Sequence, residues 1–175
     1  MGKILTLFFS KKGQTIGPGM KIRYQEKGNC NIAAEYIQEA AGGDLFEIQA
    51  DRTYSDDHMK LIEEARYELE HDVRVPVKQY PENMDTYDTV FLVYPNWWNT
   101  IPMAVATFLQ HFNWNGKVII PVCTNEGSGL GDSVSDIRKY ASGAKISNSK
   151  SYTGSKVSDM EKQIKEWAEQ VVDQL

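Results

Sequence analysis

Three compact apolar runs constrain this chain most: KILTLFF at 3–9, DTVFLVYP at 88–95 and KVIIPVCT at 117–124. Each is short and almost continuously apolar, and each ends at turn residues, so each reads as a strand buried on both faces. Strands of that kind belong to parallel sheets covered by helices on both sides. The intervening segments supply the helices. Asn29 or Cys30 opens one whose Ile32, Ala33, Tyr36, Ile37 and Ala40 share a face, and Gly42-Gly43 stops it before a strand at 44–49. Ser55-Asp56-Asp57 starts a second, running through Met59, Ile62, Ala65 and Leu69. Pro102 leads a third to His111, and Gly131-Asp132-Ser133 a fourth to Tyr140. A weak strand lies near 144–152, and a last helix sets Val157, Met160, Ile164, Trp167 and Val171 on one stripe. The Gly/Pro-containing segment 11–28 reads as a loop. Right-handed crossovers then give a three-layer α/β sandwich around an open parallel sheet, one domain over 1–175, with ligands outside the strand C-termini.

A chain of 175 residues can build one core that buries about 70% of its unfolded surface without disulfides or structural metal. The net charge of −5, with basic residues scattered and no cationic stripe interleaved with aromatics, gives no reason to expect nucleic acid. No apolar run approaches the ~20 residues of a membrane span, and Met1-Gly2-Lys3 leads directly into a strand, so a cytoplasmic location is expected. Cys30 and Cys123 are expected reduced, being at least two strand spacings of about 4.8 Å apart. His58, His71 and His111 share no metal-ligand spacing and are expected on solvent-facing helix surfaces, so no metal is expected. Asp56-Asp57 and Glu63-Glu64 read as solvated helix surface, and Met103 as core.

Three loops converge on the carboxyl edge of such a sheet: 10–31, 95–101 and 124–131. The first brings Ser10, Gly28, Asn29 and a helix N-terminus, whose N–H groups suit a phosphate. The second brings Pro95, Asn96, Trp97, Trp98 and Asn99; two exposed indoles on a polar loop suit a flat ring. The third, TNEGSGLGDS, brings backbone N–H groups and polar side chains for a ring edge. Its GSGLG does not have the G-x-G-x-x-G spacing of a dinucleotide fold, and no G-x-x-x-x-G-K-[ST] run exists. A receiver domain would need a carboxylate at the end of the first strand, where Phe9-Ser10 stands.

These residues resemble the flavodoxin-like FMN-binding family over nearly the whole chain. The phosphate loop, commonly Ser-x-x-Gly-Asn-Thr, is split into FSKKG at 9–13 and KGNC at 27–30, as in a subset with an insertion there. GGDLFEI at 42–48, NMDTYD at 83–88, YPNWW at 94–98, TIPMAV at 100–105 and NEGSGLGDSVSDIRK at 125–139 carry the match further. The resemblance implies a five-stranded sheet of order 2-1-3-4-5. It also implies FMN, with Ser10, Gly28, Asn29 and Cys30 at the phosphate, Pro95 to Trp98 flanking the isoalloxazine, and Thr124, Asn125, Glu126, Gly127 and Ser128 at its pyrimidine edge. Cys30 stands where a Thr is usual, removing one side-chain hydrogen bond of about 1.5–3 kcal/mol, with Lys27 beside it as electrostatic compensation. Asn99 replaces a frequent Gly and Asn125 a frequent His.

The flavin carries the redox chemistry in such proteins, so no catalytic side chain is expected. Flavodoxin-like electron transfer to a redox partner protein is the first expectation. The second is an FMN oxidoreductase using NAD(P)H or a quinone, because NEGSGLGDS lacks the aromatic that covers the ring in many carriers; Tyr24 is the one aromatic in the insertion. An apo flavodoxin fold used as an interaction module is the third. The sequence leaves the oligomeric state open.

Overall fold

The computed structural model describes residues 2–175, and its centre is a parallel sheet. Met1, read above as part of the lead into the first strand, lies outside the described residues. Strand β1 (Lys3–Phe8) sits between β4 (Asp44–Glu47) and β5 (Tyr87–Pro95); β6 (Val118–Asn125) follows β5. Beyond β6 the edge is shared by two short pieces, β7 (Lys145–Ile146) and β8 (Lys150–Thr153), both parallel to it. Taking those pieces as one strand, the chain order across the sheet is 2-1-3-4-5. The register is continuous where the site is built: Phe8 faces Val93 and Pro95 faces Thr124, so β5 and β6 end together.

The period of two along each strand divides the core into two layers. Leu5, Leu7, Val90, Leu92, Tyr94 and Ile119 point to one face; Ile4, Phe8, Phe91, Val93, Ile120 and Val122 point to the other. Helices α1 (Asn29–Ala41) and α5 (Glu161–Val172) cover the second layer through Ala33, Ile37, Ile164 and Ala168. Helices α2 (His58–Glu70), α3 (Met103–His111) and α4 (Ser133–Tyr140) cover the first, with Met103 in the core. Asp57 caps α2, its carboxylate accepting from Lys60 N at 2.9 Å. The buried face of α2 is Leu61, Ala65 and Glu68, and Met59 is exposed, because the helix packs rotated from the stripe read in the sequence. Val157 is buried in a 3₁₀ turn, Gly154–Asp159, ahead of α5.

Segment 11–28 is not the loop expected. It contains an antiparallel hairpin, β2 (Gly13–Gly17) with β3 (Lys21–Gln25), joined through Pro18-Gly19 with Gly19 at φ +75°. Pro18 presets one turn residue and Gly19 tolerates the left-handed one, so residues that signalled a loop are turn chemistry between two β-favouring runs.

Candidate functional site

The loops after β5 and β6 are built on each other. Residues 97–100 close a tight turn, Trp97 N donating to Thr100 O at 2.9 Å and Thr100 N returning to Trp97 O at 3.3 Å. Its two central residues, Trp98 and Asn99, stand at φ +54° and +71°, the left-handed pair of a type I′ turn. Asparagine accepts that conformation readily; a tryptophan there is rare and is held by its surroundings. Trp98 Nε1 donates to the carbonyl of Ile62 at 2.8 Å, and the Asn99 carbonyl accepts from Asp132 N at 2.7 Å. Gly131 passes so close that a Cβ on it would lie 2.4 Å from the Asn99 oxygens. Asn96 Nδ2 donates to Gly129 O at 3.0 Å, completing the tie between the loops.

Between these loops, α2 and the hairpin lies a cavity of about 470 Å³. Pro95, Asn96, Trp97, Trp98 and Asn99 form one side, and Thr124, Asn125, Glu126 and Ser128 another. Leu61, Ile62 and Ala65 of α2 supply apolar wall, while Thr15 and Ile16 of the hairpin and Asn29 of α1 close the remaining side. The volume and the mixture of apolar wall with a few polar groups suit a small planar molecule. Of the two tryptophans, Trp98 is exposed, at 45%, and Trp97 is half-buried, edge-on to Phe9 and Tyr54 with ring centroids 5.2 and 5.3 Å away. The expected exposed pair is therefore one lip residue and one wall residue, since Phe9 at the end of β1 offers Trp97 an apolar seat.

The third loop organises itself internally. Asn125 Oδ1 accepts from both Gly127 N and Gly129 N at 2.9 Å, and Glu126 accepts from the Ser155 amide and hydroxyl at 2.6 and 2.8 Å. Gly127 does not line the cavity.

The residues read as a phosphate site divide between environments. Ser10 and Gly28 line a second cavity of about 390 Å³, on the far side of Phe9 and Tyr54, with Lys11, Lys12, Arg52 and Lys78. Ser10 Oγ accepts from Asn31 N at 3.2 Å, capping α1. Gly28 is required there, because a Cβ would fall 2.3 Å from Lys11 O and Ser10 Oγ. The N–H groups of Asn29 and Cys30 find no acceptor among the described residues, which leaves donors at the α1 N-terminus suited to an anion. Asn29 Nδ2 donates to the Ile16 carbonyl at 2.9 Å, latching the hairpin to α1. Lys27 pairs with Glu35 at 2.6 Å on the surface and lines neither cavity. Cys30 is buried, its Sγ 3.1 Å from Thr124 Oγ1, and also lines neither. Both cysteines are free; burial pushes the Cys30 thiol well up and Cys123 to about 12.

With that geometry in place, the family model described as flavodoxin matches residues 21–171. The chain belongs to the flavodoxin family. A structure from Bacteroides eggerthii, provisionally named a flavoprotein, is 26% identical with a TM-score of 0.68, covering 94% of this chain and 98% of that one. Another, from Bacteroides uniformis and named in the same way, is 23% identical with a TM-score of 0.75, over 95% and 97%. A Lactobacillus acidophilus flavoprotein in complex with FMN shares the fold at 17% identity and a TM-score of 0.64, over 93% and 100%. No curated protein matches the chain in sequence.

Several lining residues were not singled out from sequence. Thr15 and Ile16 were hidden in the supposed loop, Ile62 and Ala65 read as ordinary helix face, and Leu61 lay off the stripe read for that helix. His58, expected at a solvent-facing surface, is half-buried and lines the cavity; its Nδ1 is buried without a partner among the described residues. The Asp57 cap places it there, because the first residue of α2 starts against the cavity. His71 and His111 are exposed and stack on Tyr67 and Tyr80 at 4.0 and 3.8 Å. Glu64, expected as solvated surface, is half-buried and accepts from Arg52 at 2.9 Å and from Ser55 N at 2.9 Å. Tyr24 is 74% exposed and does not reach the cavity lining. Among the described residues no helix is long and apolar enough to cross a membrane, and no acidic, His or Cys cluster could hold a metal.

Proposed function

We propose that this single-domain chain binds FMN and works as a redox flavoprotein, delivering electrons to a partner protein in the manner of flavodoxins. The observation that carries the reading is the strained left-handed Trp98 at the lip of a ring-sized cavity, on the loop where the family holds its flavin. Holding an indole in that conformation is worthwhile where a planar ligand packs against it. The FMN bound to the Lactobacillus relative supports the choice of cofactor. When bound, FMN supplies the electron chemistry. The protein's part would be positional: Pro95, Asn96, Trp97 and Trp98 would flank the ring, Thr124, Asn125, Glu126 and Ser128 would meet its polar edge, and Ser10, Gly28 and the free N–H groups of Asn29 and Cys30 would face the phosphate. Asn29 belongs to both ends, since it lines the ring cavity and begins α1.

One observation favours a second reading, an oxidoreductase taking electrons from NAD(P)H or giving them to a quinone. The cavity lining contains no large aromatic besides Trp97 and Trp98, so no aromatic of the loop after β6 would stack on a bound ring and bar a second substrate. Anaerobic mixing of the FMN-loaded protein with NADPH or NADH separates the two. Prompt loss of visible flavin absorbance supports the oxidoreductase; reduction only when a separate reductase is added supports the carrier. A colourless protein that leaves the fluorescence of added FMN unchanged rejects both and supports the apo interaction module.

A further inference from the structure

The hairpin stands apart from the sheet that carries the site. Strands β2 and β3 pair with each other in a sheet of their own, and the hairpin joins the body through irregular legs at residues 9–12 and 26–28. Its polar ties to the body, among the described residues, are made by single side chains. Asn29 Nδ2 donates to the Ile16 carbonyl at 2.9 Å, and the Ser155 hydroxyl lies 3.3 Å from Met20 Sδ at the tip. At the legs, Lys11 meets Asp56 at 3.5 Å and Lys27 meets Glu35 at 2.6 Å. Each tie of this kind contributes little net stability. Swinging the hairpin outward breaks such ties and leaves every strand ladder intact, so it is a unit that can open locally while the fold stays whole.

The hairpin segment also borders both cavities. Thr15 and Ile16 line the one at Trp98, whereas Lys11, Lys12 and Glu26 line the one at Ser10 and Gly28. Among the described residues none lines both. The join between the cavities is tightly packed on each side of Asn29. A Cβ on Gly28 would fall 2.3 Å from the carbonyl oxygen of Lys11, in the hairpin's leg. A Cβ on Gly154 would fall 3.0 Å from Asn29 Nδ2 and 2.9 Å from Glu126 Oε1. The approach to α2 borders both cavities too, but Tyr54 on buried Glu68 and Ser55 N on Glu64 pin it to the helix. The hairpin is the part of this partition that can move.

We propose, on the flavin reading above, that the hairpin is a gate: it swings on its two legs to admit FMN and closes across the narrow link between ring and phosphate, with Met20 on Ser155 as its catch. FMN is wide at both ends and thin between them, so a molecule with its ring against Trp98 and its phosphate beside Ser10 and Gly28 cannot thread past the closed hairpin. The gate takes no part in redox chemistry. It sets how fast flavin enters and leaves, because only the open fraction of molecules exchanges.

The test is to fasten the tip of the full-length, flavin-free protein. Met20→Cys with Lys156→Cys places exposed thiols on the tip and beside Ser155, while Cys30 and Cys123 stay buried. A bis-maleimide with an internal disulfide bridges the two thiols, and intact mass confirms the bridge. Stopped-flow fluorescence should then show FMN uptake slowed by at least about tenfold, and reductant, which cuts the bridge, should restore it. Met20→Ala should instead speed association and release alike, by about threefold, with the dissociation constant unchanged. Uptake by the bridged protein as fast as by the parent overturns the proposal, and so does a Met20→Ala effect on release alone, which marks a fixed wall. Equilibrium titration of the unbridged parent is read separately: failure to bind FMN there rejects the flavin reading, whereas normal affinity with ungated rates rejects only the gate.

Discussion

The indole N–H of Trp98 donates to the main-chain carbonyl of Ile62 at 2.8 Å, joining the turn after β5 to the middle of α2. Arg66, one helical turn further, lies over the same indole with its guanidinium carbon 5.5 Å from the ring centre. Trp98 is thus fixed at its edge while 45% of it stays exposed at the cavity lip. Trp98→Ala should weaken FMN binding by about 1–3 kcal/mol. Titration of FMN by fluorescence quenching measures it, and an unchanged affinity would make Trp98 a bystander.

Close backbone approach at the site is testable through glycine. Gly131 at φ +52° has no room for a Cβ against Asn99, whereas Gly116 at φ +79° faces open space. Gly116→Ala should cost only the left-handed strain, about 1 kcal/mol, and Gly131→Ala clearly more, because the Asn99–Asp132 contact must open as well. Urea unfolding of the two variants gives the comparison.

The thiols should be silent in the folded protein. Burial raises both, so little thiolate forms near neutral pH, and neither sulfur is accessible. An aromatic disulfide reagent should modify neither cysteine until denaturant is added. Cys30→Thr places a hydroxyl beside Thr124 Oγ1 and should leave FMN affinity unchanged or tighter; a clear loss would assign the thiol itself a role in binding.

Glu68 supplies a pH signature. Its carboxylate is buried on α2, accepting from Tyr54 Oη at 2.8 Å and pairing with Arg52. Burial raises its pKa above the ordinary glutamate value, against the opposing pull of Tyr54 and Arg52. The native state then holds a proton that the unfolded chain has already released, so this stability is present in acid and is lost as pH rises through the folded value. Arg52→Ala removes one opposing group, which should deepen the loss and move it to higher pH. Urea unfolding from acidic to neutral pH measures the slope, and Glu68→Gln should abolish this component.

The sequence by itself determined the layered α/β sandwich, because continuous apolar runs such as DTVFLVYP have no stable place except between two helical layers. It also marked the three loops at the sheet's carboxyl edge, since Trp97-Trp98 and the glycines after β6 are composition that no core needs. Tertiary structure decided what local pattern leaves degenerate. The Pro18-Gly19 turn serves a loop or a hairpin equally well, and the strand pairing that makes it a hairpin goes with a tie distant in the chain, Asn29 Nδ2 to the Ile16 carbonyl. Whether an indole becomes wall or lip depends on neighbours distant in the chain, Phe9 and Tyr54 for Trp97 and Ile62 for Trp98. His58 and Ile62 look like any helix positions until the rotation of α2 brings them to the cavity. Periodicity reports which side of a segment is apolar; what that side touches is a long-range packing outcome, and the site is made of such outcomes.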